Sequence, residues 1–147
     1  MHFKKFNVEP VPLLVRVDDS EFSDDIQNNF HGKRWDEVTL MDWISTASIQ
    51  VVRLYMSPQA FKYYLPSILI SSANNISYLD WGLKALLPDN AKYLPKGVWW
   101  QSYYQLFENG QREEICLYLA EISSFIVEGS ENEYLFDLCY RLWGCSN

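Results

Sequence analysis

The amino-acid sequence predicts an all-α protein, a compact single-domain bundle of about six or seven helices over residues 1–147. Three observations support this fold class. Apolar residues recur every three or four positions in several segments, which is the spacing of a buried helix face. Serine, threonine, proline and glycine residues stand where helices would begin and end. Finally, the 147 residues are 48% hydrophobic, which is enough to bury one core.

The N-terminal residues 1–19 are predicted to form either an extended arm or one short edge strand. They contain two prolines followed by the partly alternating run 13–17. A first helix is expected next, capped by Ser20 or Ser23 and ending near Gly32. Its apolar positions, four residues apart, are Phe22, Ile26 and Phe30.

The segment after this first helix contains short elements. Thr39 is predicted to cap a helix that begins at Leu40. Residues 49–56 are rich in β-branched side chains, which are typical of strands. No partner strand is evident apart from the N-terminal arm, so we predict a helical or irregular connector here.

Residues 57–66 contain a helix start, an aromatic cluster and a helix break. Ser57 can cap the first turn, and Pro58 suits the first helical position because it has no amide to leave unsatisfied. Pro66 lacks the amide that a continuing helix needs, so the helix is expected to end or kink there. Apolar residues beyond it predict helix up to residues 74–75.

Four further helical segments are predicted. Residues 78–87 and 98–107 are the first two, and the turn sequence 109–110 follows the second. The last two are the clearest, with Gly129 expected to end one and Ser130 to precede the other. We therefore expect two antiparallel helices joined by a tight turn. Their apolar stripes are Ile115, Leu119, Ile122 and Ile126, and Leu135, Leu138, Cys139 and Leu142.

The net charge of −7 is unevenly distributed along the chain. Residues 1–42 carry nine acids and five bases, residues 43–107 two acids and five bases, and residues 108–147 eight acids and two bases. This balance argues against nucleic acid as a partner, since phosphate binding needs a dominant basic surface. Acidic termini favour steering toward a basic protein, although acids also simply keep small proteins soluble.

The three cysteines, Cys116, Cys139 and Cys145, are odd in number and lack a framework spacing. We therefore expect no disulfide framework, only buried or incidental thiols. The N-terminus has no apolar run that would make a signal peptide, and no segment approaches the roughly 20 apolar residues of a membrane span. These features predict a protein of the reducing cytoplasm without a membrane partner.

No motif for catalysis, metal binding or cofactor binding is evident. His2 and His31 are distant from each other and from the cysteines, and the six glycines are scattered. The adjacent acids Glu113 and Glu114 are explained by the helix dipole, which favours negative charge in a first turn. A lone histidine such as His31 is usually structural or exposed. We predict no enzymatic activity, no metal and no cofactor.

The pairs Tyr63–Tyr64 and Trp99–Trp100 have two interpretations. Neighbours on a helix cannot both face the core, so one ring of each pair either covers an adjoining helix or anchors a partner. With six Trp, ten Tyr and eight Phe, the chain has more rings than packing demands. Some rings are therefore expected on the surface, where tyrosine and tryptophan dominate binding hot spots.

Residues 56–69, with 35–38 upstream and the segment around Gln111, resemble a family of small, uncharacterised bacterial proteins. That family shares a Pro-x-Ala-Phe-x-Tyr-Tyr-Leu-Pro core and a later Gln-x-x-x-Ile-x-x-x-Leu helix, and the resemblance covers roughly residues 30–126. Gln59 stands where the family commonly has an acid. Some members look like immunity proteins beside toxins, so the resemblance implies a toxin-binding role and no active site.

The leading hypothesis is a cytoplasmic immunity protein that binds and neutralises a cognate bacterial toxin by protein–protein association. Acids would steer the protein to a basic toxin surface, and exposed aromatic rings would supply affinity. The candidate contact residues are Asp18, Asp19, Glu21, Asp24, Asp25, Trp99, Trp100, Glu128, Glu131 and Glu133.

Two alternatives stay open. The first is a small enzyme with an unrecognised pocket, in which His31, Asp36 and Glu37 would be the acid and base groups. A deep pocket that holds all three would support it, and dispersed exposed positions would count against it. The second is a structural or adaptor protein that assembles with itself.

Overall fold

The computed structural model describes residues 2–14, 21–89 and 97–146. These parts of the chain contain eight α-helices and three short 3-10 helices and no strand, which confirms the predicted all-α class. The helices are α1 Glu21–Phe30, α2 Leu40–Thr46, α3 Ile49–Tyr55, α4 Pro58–Asn74, α5 Leu79–Ala85, α6 Val98–Gln105, α7 Asn109–Ile122 and α8 Glu131–Leu142. The 3-10 helices are Trp35–Glu37, Ile76–Tyr78 and Ser123–Phe125.

The N-terminal segment 2–14 is an arm without regular secondary structure that packs on the helices. The backbone amide of Lys5 donates to the Glu114 carboxylate at 3.1 Å, and the Lys5 carbonyl accepts from the Gln111 side chain at 3.2 Å. Side chains of α7 therefore bind this backbone, and no strand forms in it. Its buried residues are Phe3, Phe6 and Leu14.

The short helices begin where the sequence predicts. Thr39 caps α2 in a reciprocal box: its hydroxyl accepts from the Asp42 amide at 3.2 Å, and the Asp42 carboxylate accepts from the Thr39 amide at 2.9 Å. The β-branched segment after it forms helix α3, so the helical interpretation is confirmed. Ile49 and Val52 of α3 are buried, which shows that packing outweighs their preference for strands.

Helix α4 lies at the centre of the fold and contacts α2, α5, α6 and α7. It runs without interruption through Pro66, so the predicted end of a helix at this residue is wrong. The residues around the proline, 64–69, are all buried. The Ser67 hydroxyl donates to the Tyr64 carbonyl at 2.6 Å and accepts from the Trp43 indole at 2.8 Å. Tertiary contacts on all sides hold the helix where one backbone hydrogen bond is missing.

Helices α7 and α8 form the expected antiparallel hairpin, but residues 123–130, which include a 3-10 helix, connect them, so the predicted tight turn is wrong. Three further differences follow. Helix α7 begins at residues 109–110, which were predicted as a turn, so Glu113 and Glu114 lie beyond its first turn. It ends at Ile122 rather than near Gly129. The expectation that the cysteines form no disulfide is also wrong.

Cys116 in α7 and Cys145 after α8 form a disulfide. Their separation of 29 residues indicates no framework in the sequence. The two cysteines come together because the antiparallel hairpin places the end of α8 beside the middle of α7.

Aromatic side chains pack against one another through the core. Phe61 of α4 lies within 6 Å of Trp43, Trp99 and Tyr103, with ring-centroid distances of 5.9, 5.4 and 5.4 Å. The packing continues to Trp143, whose indole donates to the Leu86 carbonyl at 2.8 Å. Of the described rings, Phe125 and Tyr134 are the exposed ones. The predicted surplus of aromatic residues therefore serves the interior more than the surface.

Candidate protein-binding surface

Three large apolar side chains are exposed in the ten-residue segment 125–134, which spans the connection between α7 and α8. The exposed fractions are 48% for Phe125, 68% for Val127 and 42% for Tyr134. Two exposed acids, Glu128 and Glu131, lie between them in sequence. We call these five residues the hairpin surface. Clustered apolar side chains with a polar rim are typical of protein-interaction sites.

Local hydrogen bonds hold the backbone of the hairpin surface. The Ser130 hydroxyl donates to the Val127 carbonyl at 2.6 Å and accepts from the Glu133 amide at 3.2 Å. The Glu133 carboxylate accepts from the Gly129 amide at 3.3 Å. Gly129 has φ of 80°, a left-handed conformation that suits glycine. Because the turn is already ordered, binding would not include the free-energy cost of ordering it.

The three acids predicted near α8 differ in their roles. Glu128 and Glu131 are exposed and face solvent, whereas Glu133 is half-buried and closes the cap of α8. Glu131 also lies in the first turn of α8, where negative charge is favoured by the helix dipole. Two of the three predicted acids are therefore available to a partner.

The N-terminal acids form no surface that can be described. Asp18 and Asp19 lie outside the described residues, and so does the side chain of Glu21, whose backbone begins α1. Asp24 is exposed and Asp25 is half-buried on α1. These predicted contact residues remain predictions.

The tryptophan pair belongs mainly to the interior. Trp100 is only 5% exposed, and Trp99 is half-buried, with its indole donating to the Met56 carbonyl at 3.1 Å. Trp100 is therefore not available as a surface anchor. The rings that are exposed, Phe125 and Tyr134, lie off the apolar stripes of their segments, and this position is the signal that could have identified them.

The tyrosine pair binds two different segments. The Tyr64 hydroxyl lies 2.8 Å from the Phe30 carbonyl and 2.9 Å from the Lys33 carbonyl, so it satisfies the end of α1. The Tyr63 hydroxyl donates to the Val8 carbonyl and accepts from the Trp35 amide. The outward ring of this pair thus covers neighbouring segments, as the structural interpretation predicted.

No protein-family model, no curated protein and no solved structure matches this chain. The resemblance of residues 56–69 to small bacterial proteins stays a prediction. None of the helices in the described parts of the chain is long and apolar enough to cross a membrane. Function is therefore inferred from the hairpin surface.

A buried arginine that the sequence analysis did not identify lies at the floor of two grooves, of about 570 Å³ and 390 Å³. Arg53 donates to the Asp89 carboxylate at 2.8 Å and to the Lys84 carbonyl at 2.5 Å. Burial lowers the pKa of its guanidinium. Three rings surround it, with centroids at 5.4 to 5.8 Å, from Phe61, Trp99 and Trp100. These partners stabilise the buried charge, although the Arg53 Nε finds no hydrogen-bond partner among the described residues.

The acid and base groups of the enzyme alternative do not form a buried centre. His31, Asp36 and Glu37 are all exposed. The Asp36 carboxylate pairs with the Arg34 guanidinium at 2.8 Å, and the Glu37 carboxylate accepts from the Arg34 amide at 2.9 Å. Among the described residues, no three His, Cys, Asp or Glu side chains are grouped to hold a metal ion. The exposed positions count against this alternative.

Proposed function

We propose that the protein is an immunity protein that binds and neutralises a cognate bacterial toxin by protein–protein association through the hairpin surface. The observation that carries the proposal is the exposure of Phe125, Val127 and Tyr134 in a ten-residue segment that also contains the exposed acids Glu128 and Glu131. Exposed aromatic residues are enriched among binding hot spots, and acids at the rim select a basic partner.

Association would proceed in two stages. The net charge of −7 and the acids of the C-terminal segment would attract a basic toxin surface and raise the rate of encounter. The apolar side chains of the hairpin would then be buried, which supplies most of the affinity. Toxin activity would be blocked either by covering its substrate site or by fixing one inactive conformation.

We place this activity in the cytoplasm. Disulfides in the cytosol are usually transient or redox-sensing, so the Cys116–Cys145 bond would have to open and close there. To test this location, the free thiols are trapped in intact cells with an alkylating reagent. Mass spectrometry then counts the modified cysteines.

The first experiment is an affinity capture with the full chain from lysates of its native bacterium. A bound protein should have a basic surface, form a stoichiometric complex in size exclusion, and kill cells only when this chain is not co-expressed. A protein that assembles with itself would instead show concentration-dependent mass without a partner, and that result would contradict the immunity proposal.

Matched variants then test the hairpin surface against the captured partner. Glu128→Lys should slow association several-fold at low salt and flatten its salt dependence, whereas Glu113→Lys, an equal charge reversal on α7, should do so much less. Phe125→Ser should weaken binding by about tenfold or more, while Met41→Ser, at a more exposed apolar position on α2, should not. Equal effects of test and control variants would remove this surface from the proposal.

A further inference from the structure

The three cysteines have different environments. Cys139 is fully buried in α8, where its thiol donates to the Leu83 carbonyl at 3.4 Å and burial raises its pKa. A thiol in this environment is unreactive. Cys116 and Cys145 are only half-buried and are joined to each other. The structure therefore separates one inert thiol from one disulfide that solvent can reach.

Helix α8 itself contributes few fully buried residues, and Trp143, directly after it, anchors its C-terminal end in the core through an indole bond to the Leu86 carbonyl at 2.8 Å. Within Glu131–Leu142, only Cys139 is buried, whereas α4 buries nine of its 17 residues. The apolar residues of α8 that pack on the core are half-buried: Leu135, Phe136, Leu138 and Leu142. An element with little buried apolar surface opens at low free-energy cost.

The disulfide adds a covalent link to the packing of α8 on the core. It joins the middle of α7 to a residue just beyond the end of α8, at a sequence separation of 29. The closed loop contains all of α8 and all five residues of the hairpin surface. A crosslink that closes such a loop lowers the entropy that α8 gains when it leaves the fold.

We propose that the Cys116–Cys145 disulfide is a redox-controlled fastener that keeps α8 ordered, and that thiol–disulfide exchange with a cellular dithiol releases it. The thiolate of the dithiol attacks one sulfur and forms a mixed disulfide, and its second thiol then resolves this bond. The dithiol loses two electrons and two protons and becomes a disulfide, while Cys116 and Cys145 become thiols.

The consequence for binding rests on the proposed function. Residues Glu131 and Tyr134 of the hairpin surface are part of α8, so opening of α8 separates them from Phe125 and Val127. The closed form should therefore bind the partner more tightly, because binding to the open form must also order α8.

Hydrogen exchange of the full-length protein, with and without a dithiol reductant, tests the fastener without any partner. Amides of α8 should exchange about 10- to 100-fold faster after reduction, whereas amides of α4 should change little. Alkylation of the reduced protein should modify two cysteines and leave Cys139 unmodified. Unchanged α8 exchange with the bond open, or equal acceleration in α4, would overturn the proposal.

Variants separate this proposal from the proposed function. Cys116→Ser with Cys145→Ser should reproduce the exchange of the reduced protein in the absence of reductant, and Cys139→Ala should keep its response to reductant. Failure to capture a toxin would contradict the proposed function and leave the exchange result standing. Equal affinity of the oxidised and reduced forms for a captured partner would overturn the coupling of the disulfide to binding.

Discussion

Gly82 in α5 leaves no space for a side chain. The hydroxyls of Ser72 and Tyr118 meet beside it at 2.8 Å, and a β-carbon at position 82 would collide with both oxygens. Ser72 belongs to α4 and Tyr118 to α7, so a single hydrogen atom at this position lets three helices approach one another. The glycine is inside a helix with no turn signal beside it, and the sequence analysis therefore did not single it out.

We predict that Gly82→Ala destabilises the protein by roughly 2–4 kcal/mol. The methyl group must displace the Tyr118 hydroxyl or the Ser72 hydroxyl, which adds overpacking and breaks a buried hydrogen bond. Urea unfolding followed by circular dichroism measures the change. A variant as stable as the native protein would show that the three helices can separate at this point without cost.

Gly110→Ala is the matched control, since Gly110 is also helical. Its added carbon would lie 3.3 Å from the Lys5 side chain, which is exposed and can move. We expect unchanged stability or a gain of about 0.5–1 kcal/mol, because alanine favours helix more than glycine does. A loss as large as that of Gly82→Ala would mean that the cost comes from the helix backbone and not from the crowded site.

At the scale of elements, α4 shows how packing overrides a local signal. A proline inside a helix costs about 3 kcal/mol or more, which is why a break is predicted at Pro66. The helix nevertheless continues because Tyr64, Leu65, Ile68 and Leu69 are all fully buried around it. Breaking α4 there would expose several large side chains, each of which contributes about 1.5–3 kcal/mol when buried.

The prediction for α8 concerns Ser130, the residue that caps its N-terminus. Ser130→Ala removes the oxygen that accepts from the Glu133 amide and the hydroxyl that donates to Val127. We expect a loss of about 1 kcal/mol in the free energy of unfolding, the usual cost of losing a serine cap. Ser124→Ala, at an exposed position in the preceding 3-10 helix, is the control and should change stability by less than about 0.5 kcal/mol. Equal urea midpoints for the two variants would contradict the capping role.

At the scale of the whole molecule, buried ionisable groups make stability depend on alkaline pH. Burial raises the pKa of Cys139, Tyr103 and Tyr118 above their ordinary values of 9.0 and 10.0. These groups stay protonated in the folded protein but lose protons on unfolding once the pH passes those ordinary values. Their contribution is therefore complete below about pH 9 and is lost as the pH rises.

We predict that these three groups together lower the free energy of unfolding by about 5 kcal/mol between pH 8 and pH 11. The slope is about 1.4 kcal/mol per pH unit for each group, beginning with Cys139 near pH 9 and joined by the two tyrosines near pH 10. Urea unfolding at a series of pH values measures it. Cys139→Ala should remove the early part of the decline between pH 9 and 10, and an unchanged slope in that variant would contradict the assignment to this thiol.

The helical class and most helix starts follow from local features of the sequence. Thr39, Ser57 and Ser130 act through hydrogen bonds to amides three residues away, so their effect is local and can be predicted from residue type and spacing. Of the acids predicted as contact residues near α8, Glu128 and Glu131 are exposed and Glu133 is half-buried.

Tertiary packing determines the continuity of α4, the Cys116–Cys145 bond, the burial of Arg53 and Trp100, and the exposure of Phe125 and Tyr134. Each depends on segments that are far apart in sequence: Arg53 meets Asp89 across 36 residues, and the disulfide spans 29. Hydrophobic burial is not directional, so residue type alone cannot tell which of many aromatic rings will find a neighbour. Long-range packing makes that choice, and it places the remaining rings on the surface that we propose binds a partner.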